Sequence, residues 1–150
     1  MGSDAKSDDI LAQEYFRLQE AVEEFDNRAL TIKAWSVTFS AAGLGLAYEQ
    51  KTPVLLLIAA GSALAFWLVE AMWKVSQQSY YQRIRAIEAH FRGDKATVPL
   101  QIAASWHRSF IARGRYRDAL RLMAWPHVAM PHVLVAIAGV ALFILAPPAI

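Results

Sequence analysis

The stretch that most constrains this chain runs from Pro53 to Trp73, with the sequence PVLLLIAAGSALAFWLVEAMW. Its single ionisable side chain is Glu70, close to one end. A helix rises about 1.5 Å per residue, so the stretch covers about 30 Å, the thickness of the hydrocarbon core of a bilayer. A helix that packs on the core of a soluble protein has polar residues at every third or fourth position along its exposed face. This stretch has no such series. The sequence therefore predicts a transmembrane helix at 53–73.

The composition fits a protein that lies partly in lipid and partly in water. The 150 residues predict one domain, in which 56% of the residues are apolar and 19% are charged. The chain has no cysteine, which excludes disulfides, thiolate metal sites and a cysteine nucleophile. The N-terminus has neither the pattern of a secretory signal nor that of myristoylation, in which Lys6 would be Ser or Thr. We therefore expect membrane insertion through the internal apolar segments.

Two series of apolar residues with alternating steps of four and three flank the membrane segments. The first, over 7–33, consists of Leu11, Tyr15, Leu18, Val22, Phe25, Ala29 and Ile32. The second, over 74–92, begins at the end of the 53–73 helix and consists of Trp73, Gln77, Tyr80, Ile84, Ile87 and Phe91. Such spacing is typical of coiled coils. It predicts two helices that leave the membrane on the same side and pair as an antiparallel coiled coil, with the aromatic residues in the seam.

Residues 34–50 form a weaker membrane segment, because hydroxyl residues and glycines lower its hydrophobicity. Small and hydroxyl residues allow close contact between helices in lipid. The predicted packing face consists of Ser36, Ser40, Ala41 and Gly45. This face either packs on the next helix of the same chain or lines a pore or subunit contact. A short connection ended by Pro53 predicts that 34–50 and 53–73 form a helical hairpin.

The last third of the chain combines a basic segment with a third apolar one. Residues 93–123 predict a loop and a basic amphipathic helix, whose candidate lipid-headgroup residues are Trp106, Arg108, Arg113, Arg115, Arg117 and Arg121. Such a helix fits a headgroup surface and equally fits a cradle for an acidic N-terminal arm, whereas it is a weak signal for nucleic acid, which we do not expect as a partner. Residues 126–147 predict a third span or a re-entrant segment, interrupted at its start by Pro126 and Pro131.

The distribution of charge predicts the orientation. Residues 1–33 hold eight acidic and four basic side chains, whereas residues 74–125 hold ten basic and three acidic ones. The positive-inside rule places both ranges in the cytoplasm and the hairpin tip and C-terminus outside. Trp35, Trp73 and Trp125 would then lie at the cytoplasmic interface, where aromatic residues are enriched. The predicted protein has three spans and a cytoplasmic N-terminus.

Few residues of the sequence could carry chemistry. Glu70 either pairs with Lys74, one turn further on at the interface, or belongs to a ring of carboxylates at the mouth of an oligomeric cation pore. His127 and His132 do not have the i,i+4 spacing of a helical metal site, and we expect them to form interfacial hydrogen bonds. No phosphate-binding loop, Ser-His-Asp pattern or carboxylate cluster occurs in the sequence. We expect no enzymatic activity, no metal and no cofactor.

The stretch EYFRLQEAVEEFDNRALTIKAWSVTFS, which ends at Ser40, resembles the start of bacterial SLATT-type small membrane proteins. The likeness is concentrated in Phe25-Asp26, Arg28-Ala29-Leu30 and Lys33-Ala34-Trp35-Ser36. It covers residues 10–92 in architecture, as a cytoplasmic helix, a helical hairpin and a further cytoplasmic helix. The resemblance implies a pore-forming or membrane-disrupting effector that acts as an oligomer. A third span after residue 124 departs from the two-span form.

These features predict an all-α integral membrane fold and lead to two hypotheses. The first is a homo-oligomeric pore or ion channel of the bacterial inner membrane, assembled or gated through the cytoplasmic coiled coil. Three spans cannot enclose an aqueous channel alone, so a pore needs several copies. Its pore-lining or gate candidates are Glu70, Ser36, Ser40 and Thr38. The alternative is a membrane-anchored scaffold or adaptor that recruits a cytoplasmic protein through its cytoplasmic helices. A transporter ranks third, because the sequence shows no inverted repeat.

Overall fold

The structure, a computed structural model, describes residues 2–94, 96–113 and 116–149. The described residues form seven helices and no strand, which confirms the predicted all-α class. In chain order these are α1 (Gly2–Glu49), α2 (Val54–Gln78), α3 (Tyr81–Phe91), α4 (Ile102–Ala112), α5 (Tyr116–Met123), α6 (Pro126–Ala129) and α7 (His132–Leu145). α2 is the central element, because it packs against α1, α5 and α7.

α1 is one unbroken helix of 48 residues, so the predicted segments 7–33 and 34–50 form a single element. Its length is about 72 Å at 1.5 Å per residue. No proline interrupts it, and its glycines occur near its two ends. The helix ends where Lys51 adopts a left-handed conformation with φ of 50°, and the Thr52 N–H donates to the Ala47 carbonyl at 2.9 Å. The chain then turns back into α2 and forms a hairpin.

α2 ends at Gln78, and α3 resumes at Tyr81, whereas the sequence predicted one helix through to residue 92. Two serines explain the interruption. The Ser79 hydroxyl donates to the Val75 carbonyl at 3.0 Å, and Ser76 donates in the same way to Met72 at 3.3 Å. Hydroxyls that bond back onto the preceding turn bend helices. The Ser79 and Tyr80 N–H groups accordingly bond three residues back, as in a tighter 3₁₀ turn.

The residues of the two predicted seams meet outside the apolar part of the hairpin. Their buried apolar side chains form one hydrophobic cluster. It contains Leu11, Leu18, Val22, Ile84 and Ile87, with Tyr15, Tyr80, Tyr81 and Ile102 packed against it. The Phe25 ring lies 4.6 Å from the Trp73 ring and 5.7 Å from the Tyr80 ring, measured between centroids. Phe91 is the exception, because its side chain is exposed at the end of α3. Regular coiled-coil geometry for this contact stays a prediction.

The predicted basic helix is two helices that lie on either side of residues 113–115. α4 begins at Ile102, earlier than predicted, and the loop before it is correspondingly short. α5 packs on the central helix through Ala119 and Leu122, which contact Ala71 and Val75 of α2. α5 therefore lies beside the end of the 53–73 segment. Arg115 lies outside the described residues.

The two prolines of the last segment divide it as the sequence indicated. α6 is a single turn that begins at Pro126, and α7 begins after Pro131. α7 has 14 residues, or about 21 Å, which is shorter than the hydrocarbon core. It runs parallel to α1, because His132 contacts Ser36 at one end and the Tyr48 hydroxyl donates to the Ala146 carbonyl at 2.7 Å at the other. The hairpin tip and the end of α7 therefore lie at the same end of the molecule.

One helical stretch among the described residues, Val54–Phe91, is long and apolar enough to cross a membrane. Only 33% of its most apolar window is buried within the chain, so much of its apolar surface faces outward. Large apolar side chains are also exposed on the second half of α1 and on α7. We call this surface the apolar belt: Trp35, Val37, Phe39, Leu46, Val54, Leu57, Ile58, Leu64, Leu68, Val69, Leu134, Ile137, Val140, Ile144 and Leu145. A soluble monomer rarely exposes so much apolar surface, which indicates contact with lipid or protein.

Candidate functional site

A set of polar side chains lies inside the packing of α1, α2 and α7. On α1, Lys33, Ser36 and Ser40 recur at steps of three and four, so they share one face of the helix. This face points to α2 and α7, and Ser36 and Ser40 are wholly buried. The two serines therefore contact other helices of the same chain, which was one of the two predicted roles of this face, whereas Ala41 and Gly45 of the predicted face are exposed.

His132 links α1 to α2. It is the first residue of α7, where Pro131 precedes it, and its side chain is 0% exposed. Its Nδ1 atom lies 2.7 Å from the Ser36 hydroxyl, and its Nε2 atom lies 2.9 Å from Oε2 of Glu70. The imidazole therefore connects a hydroxyl on one helix to a carboxylate on another. The expected hydrogen-bonding role of His132 is present, but the residue lies in the interior.

Glu70 is the centre of this network. It is 0% exposed, and its second oxygen, Oε1, accepts a hydrogen bond from the ammonium of Lys33, whose side chain is 20% exposed. The predicted pair between Glu70 and Lys74 is wrong. Lys74 lies one turn further on and donates to Asp26 of α1 at 2.6 Å and to Gln77 at 2.7 Å. Two successive turns of α2 therefore pair with different residues of α1, Glu70 with Lys33 and Lys74 with Asp26.

Each side chain of the network has a hydrogen-bond partner within the network. An ionised carboxylate can only accept, so His132 donates to Glu70 from Nε2. The other ring nitrogen, Nδ1, shares a hydrogen bond with the Ser36 hydroxyl, which can either donate or accept. Lys33 supplies the positive charge that balances Glu70. Buried charges are tolerated when they are paired and hydrogen-bonded in this way. We call these four residues the Glu70 network.

Further polar layers follow along the interface of the hairpin. On the apolar side, the Ser40 hydroxyl donates to the Ala59 carbonyl at 3.2 Å and lies 3.3 Å from the Ser62 hydroxyl. On the other side, Gln77 donates to the Val22 carbonyl at 3.0 Å, next to the pair of Lys74 and Asp26. Polar contacts at these levels fix the register of α1 against α2.

The acidic arm of α1 is bound by α2 and α3. Besides the pair of Asp26 and Lys74, Glu14 accepts two hydrogen bonds from Arg83, at 2.7 and 2.9 Å, and both side chains are buried. The same carboxylate accepts the Leu100 N–H at 2.8 Å. The sequence offered the basic helix as a cradle for this arm. The described residues instead pair the arm with α2 and α3, and they show no pairing with the arginines of α4 and α5.

Asp26 has a perturbed pKa. Partial burial raises the pKa of its carboxyl, but hydrogen bonds from Lys74 and Gln77 and the nearby Lys74 charge lower it more. The net result is a pKa below the usual value, so Asp26 is ionised at neutral pH. The ion pair of Asp26 with Lys74 stabilises the contact between α1 and α2 next to the Glu70 network.

Ser36, His132 and Glu70 have the connectivity of a hydroxyl, an imidazole and an acid, as in serine hydrolases. Acyl transfer needs room for a carbonyl beside the hydroxyl and free donors for an oxyanion. Ser36 is wholly buried in the middle of α1, where the helix itself uses the surrounding backbone N–H groups. The geometry therefore supports a network that joins three helices, and it offers no place for a substrate carbonyl.

The remaining predicted site residues lie on α1, on α4 and in the cavity beside α5. Thr38 is exposed on the outer side of α1, away from Ser36, Ser40 and Glu70. Trp106 points inward, where its indole donates to the Ser76 carbonyl at 3.0 Å and its ring stacks on Phe110. Arg108 is exposed on α4 and donates to the backbone one turn earlier. The other described headgroup candidates, Arg113, Arg117 and Arg121, line an open cavity beside α5.

Sequence reasoning missed Lys33 and the meeting of the four residues. Ser36 and His132 are 96 positions apart, and Lys33 and Glu70 are 37 apart, so no local spacing relates them. One signal was present. An ionisable residue lies at or beside one end of each of the three apolar segments, Lys33, Glu70 or His132, and the predicted topology puts these ends at one level.

No family model, curated protein or solved structure matches the chain. The resemblance to SLATT-type proteins therefore stays a prediction, and the function is argued from the structure.

Proposed function

We propose that the protein is a membrane-anchored scaffold or adaptor of the bacterial inner membrane. The observation that carries this proposal is the burial of Ser36, Ser40 and Glu70 within a single chain. These side chains were the polar candidates for lining a pore, and each already has a hydrogen-bond partner inside its own subunit. A pore between copies would need polar side chains on the outer surface, where the apolar belt lies.

The anchor in this proposal consists of three spans, with the N-terminus and the basic segment in the cytoplasm. The apolar belt includes α1 and α7 besides α2, which supports spans at 34–50 and 126–147. The bond from Tyr48 to Ala146 supports a common location for the hairpin tip and the C-terminus. Lys33 and Lys74 lie toward the other end, together with the basic segment, as the positive-inside rule requires.

The adaptor surface in this proposal is an open groove between α1 and α3, far from the apolar belt. Its lining residues are Ala12, Tyr15, Phe16, Glu88, Phe91 and Arg92, around a volume of about 410 Å³. The Phe16 side chain is 70% exposed, and that of Phe91 is 53% exposed. Aromatic side chains that project into an open groove are typical anchors for a protein partner. Two charged side chains, Glu88 and Arg92, provide a polar rim.

A homo-oligomeric pore remains a second candidate, because one observation favours self-association. Thr38, Ala41, Ala42 and Gly45 are exposed on the outer side of α1. A Cβ atom added at Gly45 meets nothing within 4 Å in the single chain. Small residues on a membrane helix allow a second helix to approach closely. In such an assembly Thr38 would be the exposed polar candidate, and the Glu70 network would lie inside each subunit.

Native mass spectrometry of the protein in nanodiscs, combined with ion flux into vesicles, separates the two candidates. The adaptor predicts a monomer or dimer, no flux, and no change in either readout for Gly45→Leu. A closed assembly of four or more copies that conducts ions, and that Gly45→Leu disrupts, would establish the pore and overturn the adaptor.

The adaptor also predicts a protein contact at the groove. A photo-crosslinking amino acid at position 91 is expected to form a discrete heterologous adduct in cells, and Phe16→Ala is expected to reduce it. The matched control is the same amino acid at Arg85, which is exposed on the same helix outside the groove. Equal crosslinking from the two positions would contradict a recruiting role for this surface.

A further inference from the structure

The side of α5 that faces away from the protein carries positive charge with little compensation. Arg113, Arg117 and Arg121 line an open cavity of about 480 Å³ together with Ala112 and Asp118. The carboxylate of Asp118 lies 3.6 Å from the guanidinium of Arg113. Among the described residues, Arg117 and Arg121 form no ion pair, although they lie one helical turn apart and face the same cavity.

The position of α5 places this charge at one end of the apolar belt. Its inner residues, Ala119 and Leu122, contact α2 at Ala71 and Val75, just beyond Glu70. The Trp67 indole donates to the Met123 carbonyl at 3.1 Å, which ties the end of α5 to the apolar part of α2. The arginines therefore lie at the level where the apolar surface ends and the ion pairs of the hairpin begin.

Apolar residues accompany the arginines on the outer surface. Leu120, which lies between Arg117 and Arg121 in the sequence, is 67% exposed, and Ile111 at the end of α4 is 50% exposed. An outward leucine among arginines is unfavourable in water and favourable at a membrane surface, where the acyl chains receive the apolar group and the headgroups receive the charge.

Apart from Asp118, which lies beside Arg113, the described acidic residues do not pair with these arginines. The paired carboxylates of α1, including Asp26 and Glu14, have their partners on α2 and α3. The charge of α5 therefore remains available to a ligand from outside the chain. A guanidinium forms paired hydrogen bonds with phosphate oxygens, and two of them one turn apart can hold one phosphate group.

We propose that Arg113, Arg117 and Arg121 bind the phosphate headgroup of an anionic phospholipid in the cytoplasmic leaflet, with Leu120 against its acyl chains. The proposal rests on the membrane orientation given under the proposed function. Asp118 holds Arg113 at the edge of the cavity, and Arg117 and Arg121 supply the two free guanidinium groups. The occupant is one lipid molecule at a defined position, in addition to the general attraction between a basic surface and an anionic bilayer.

The test compares lipid retention by native mass spectrometry. Protein is released from nanodiscs that contain phosphatidylglycerol and phosphatidylcholine with identical acyl chains, and the ratio of the two retained lipids is measured. We expect phosphatidylglycerol to be enriched on the wild-type protein, and Arg117→Gln with Arg121→Gln to reduce this enrichment on the order of tenfold. The matched control, Arg17→Gln with Arg85→Gln, removes the same charge from exposed positions on α1 and α3. We expect this control to retain the phosphatidylglycerol enrichment.

Three results would overturn the lipid site. The first is wild-type retention in the same ratio as the nanodisc, and the second is an equal loss of enrichment in the control variant. The third is displacement of phosphatidylglycerol by an equal concentration of inorganic phosphate, which would assign the cavity to a soluble anion. Circular dichroism of each variant checks that the helices are intact.

A separate measurement distinguishes failure of this site from failure of the membrane proposal. Wild-type protein in pure phosphatidylcholine vesicles is treated with alkaline carbonate, which removes peripheral proteins. If the wild-type protein resists extraction from these vesicles but shows no phosphatidylglycerol enrichment in the nanodisc experiment, only the headgroup site is rejected. Extraction of the wild-type protein would reject the membrane anchor itself.

Discussion

Glu70 joins three helices through its two carboxylate oxygens. One oxygen accepts from Lys33 of α1 and the other from His132 of α7. An unpaired ion in surroundings that exclude water costs several kcal/mol, so each partner matters more than a surface ion pair would. The same carboxylate therefore sets the register of α1 and the position at which α7 begins.

We expect Glu70→Gln to lower the free energy of unfolding by about 3–5 kcal/mol, because it leaves the charge of Lys33 without its counter-ion. Glu49→Gln is the matched control, since Glu49 is exposed at the end of the same hairpin and forms no ion pair among the described residues. Chemical unfolding in detergent micelles measures both variants. Equal stability of the two would show that the Glu70 network does not hold the helices together.

At the level of residues, the sequence identified members of this network but not their contacts. Glu70 was recognisable because a carboxylate in an apolar run is rare, and Ser36 and Ser40 because hydroxyls lower the hydrophobicity of their segment. The partner of Glu70 was assigned to Lys74 by the i,i+4 rule, which describes an isolated helix. Tertiary packing placed Lys33 and His132 closer, and no local rule contains that information.

Among the elements, α2 holds the others in place, and glycine permits its closest contact. A Cβ atom at Gly139 of α7 would lie 2.9 Å from the Leu56 carbonyl oxygen and 3.1 Å from the Cβ atom of Ala60. The backbone of α2 cannot yield as a flexible side chain can. α7 is therefore close to α2 because position 139 has no side chain.

Gly139→Ala is expected to lower the free energy of unfolding by about 1–3 kcal/mol, because the added methyl group forces α7 away from α2. Gly61→Ala is the control within α2, where an added Cβ meets nothing within 4 Å. It is expected to be neutral or to stabilise the protein by about 0.4–1 kcal/mol, through the lower conformational entropy of alanine in the unfolded chain. Thermal unfolding in detergent compares the two; a similar loss in both variants would contradict close packing at Gly139.

The sequence predicted the elements well where local chemistry decides them. Pro53, Pro126 and Pro131 mark helix starts or interruptions, because proline lacks the N–H group that a helix interior needs. The break at Ser79 was not predicted, because a serine bends a helix only when its hydroxyl bonds to the preceding turn. The early start of α4 at Ile102 was missed for a related reason, since Ile102 packs on the cluster of the hairpin and propensity alone does not show this.

Across the whole molecule, the apolar belt and the ion pairs divide the protein into two parts. The belt covers α7, most of α2 and the second half of α1, whereas the pairs of Asp26 with Lys74 and Glu14 with Arg83 lie beyond it. Lipid favours the first part and water the second, so the boundary defines how the protein would sit in a bilayer. The sequence predicted this division from charge and hydropathy.

Single cysteines test the resulting topology, because the chain contains none of its own. Gln50→Cys places a thiol at the hairpin tip, and Gln82→Cys places one on an exposed position of α3. A maleimide that cannot cross membranes is expected to label Gln50→Cys in intact cells and Gln82→Cys only after permeabilisation. The reverse pattern would overturn the cytoplasmic location of the N-terminus.

The continuity of α1 has a mechanical consequence. Phe16 in the groove and Ser36 in the Glu70 network belong to the same unbroken helix, about 30 Å apart at 1.5 Å per residue. The helices that pack against α1 are interrupted at Ser79, whereas α1 runs through both regions as one helix. A partner that tilts α1 at the groove must therefore displace its other end, where the hydroxyl of Ser36 meets the imidazole of His132. In the proposed orientation, a partner bound at the groove would therefore act on the Glu70 network from the cytoplasmic side.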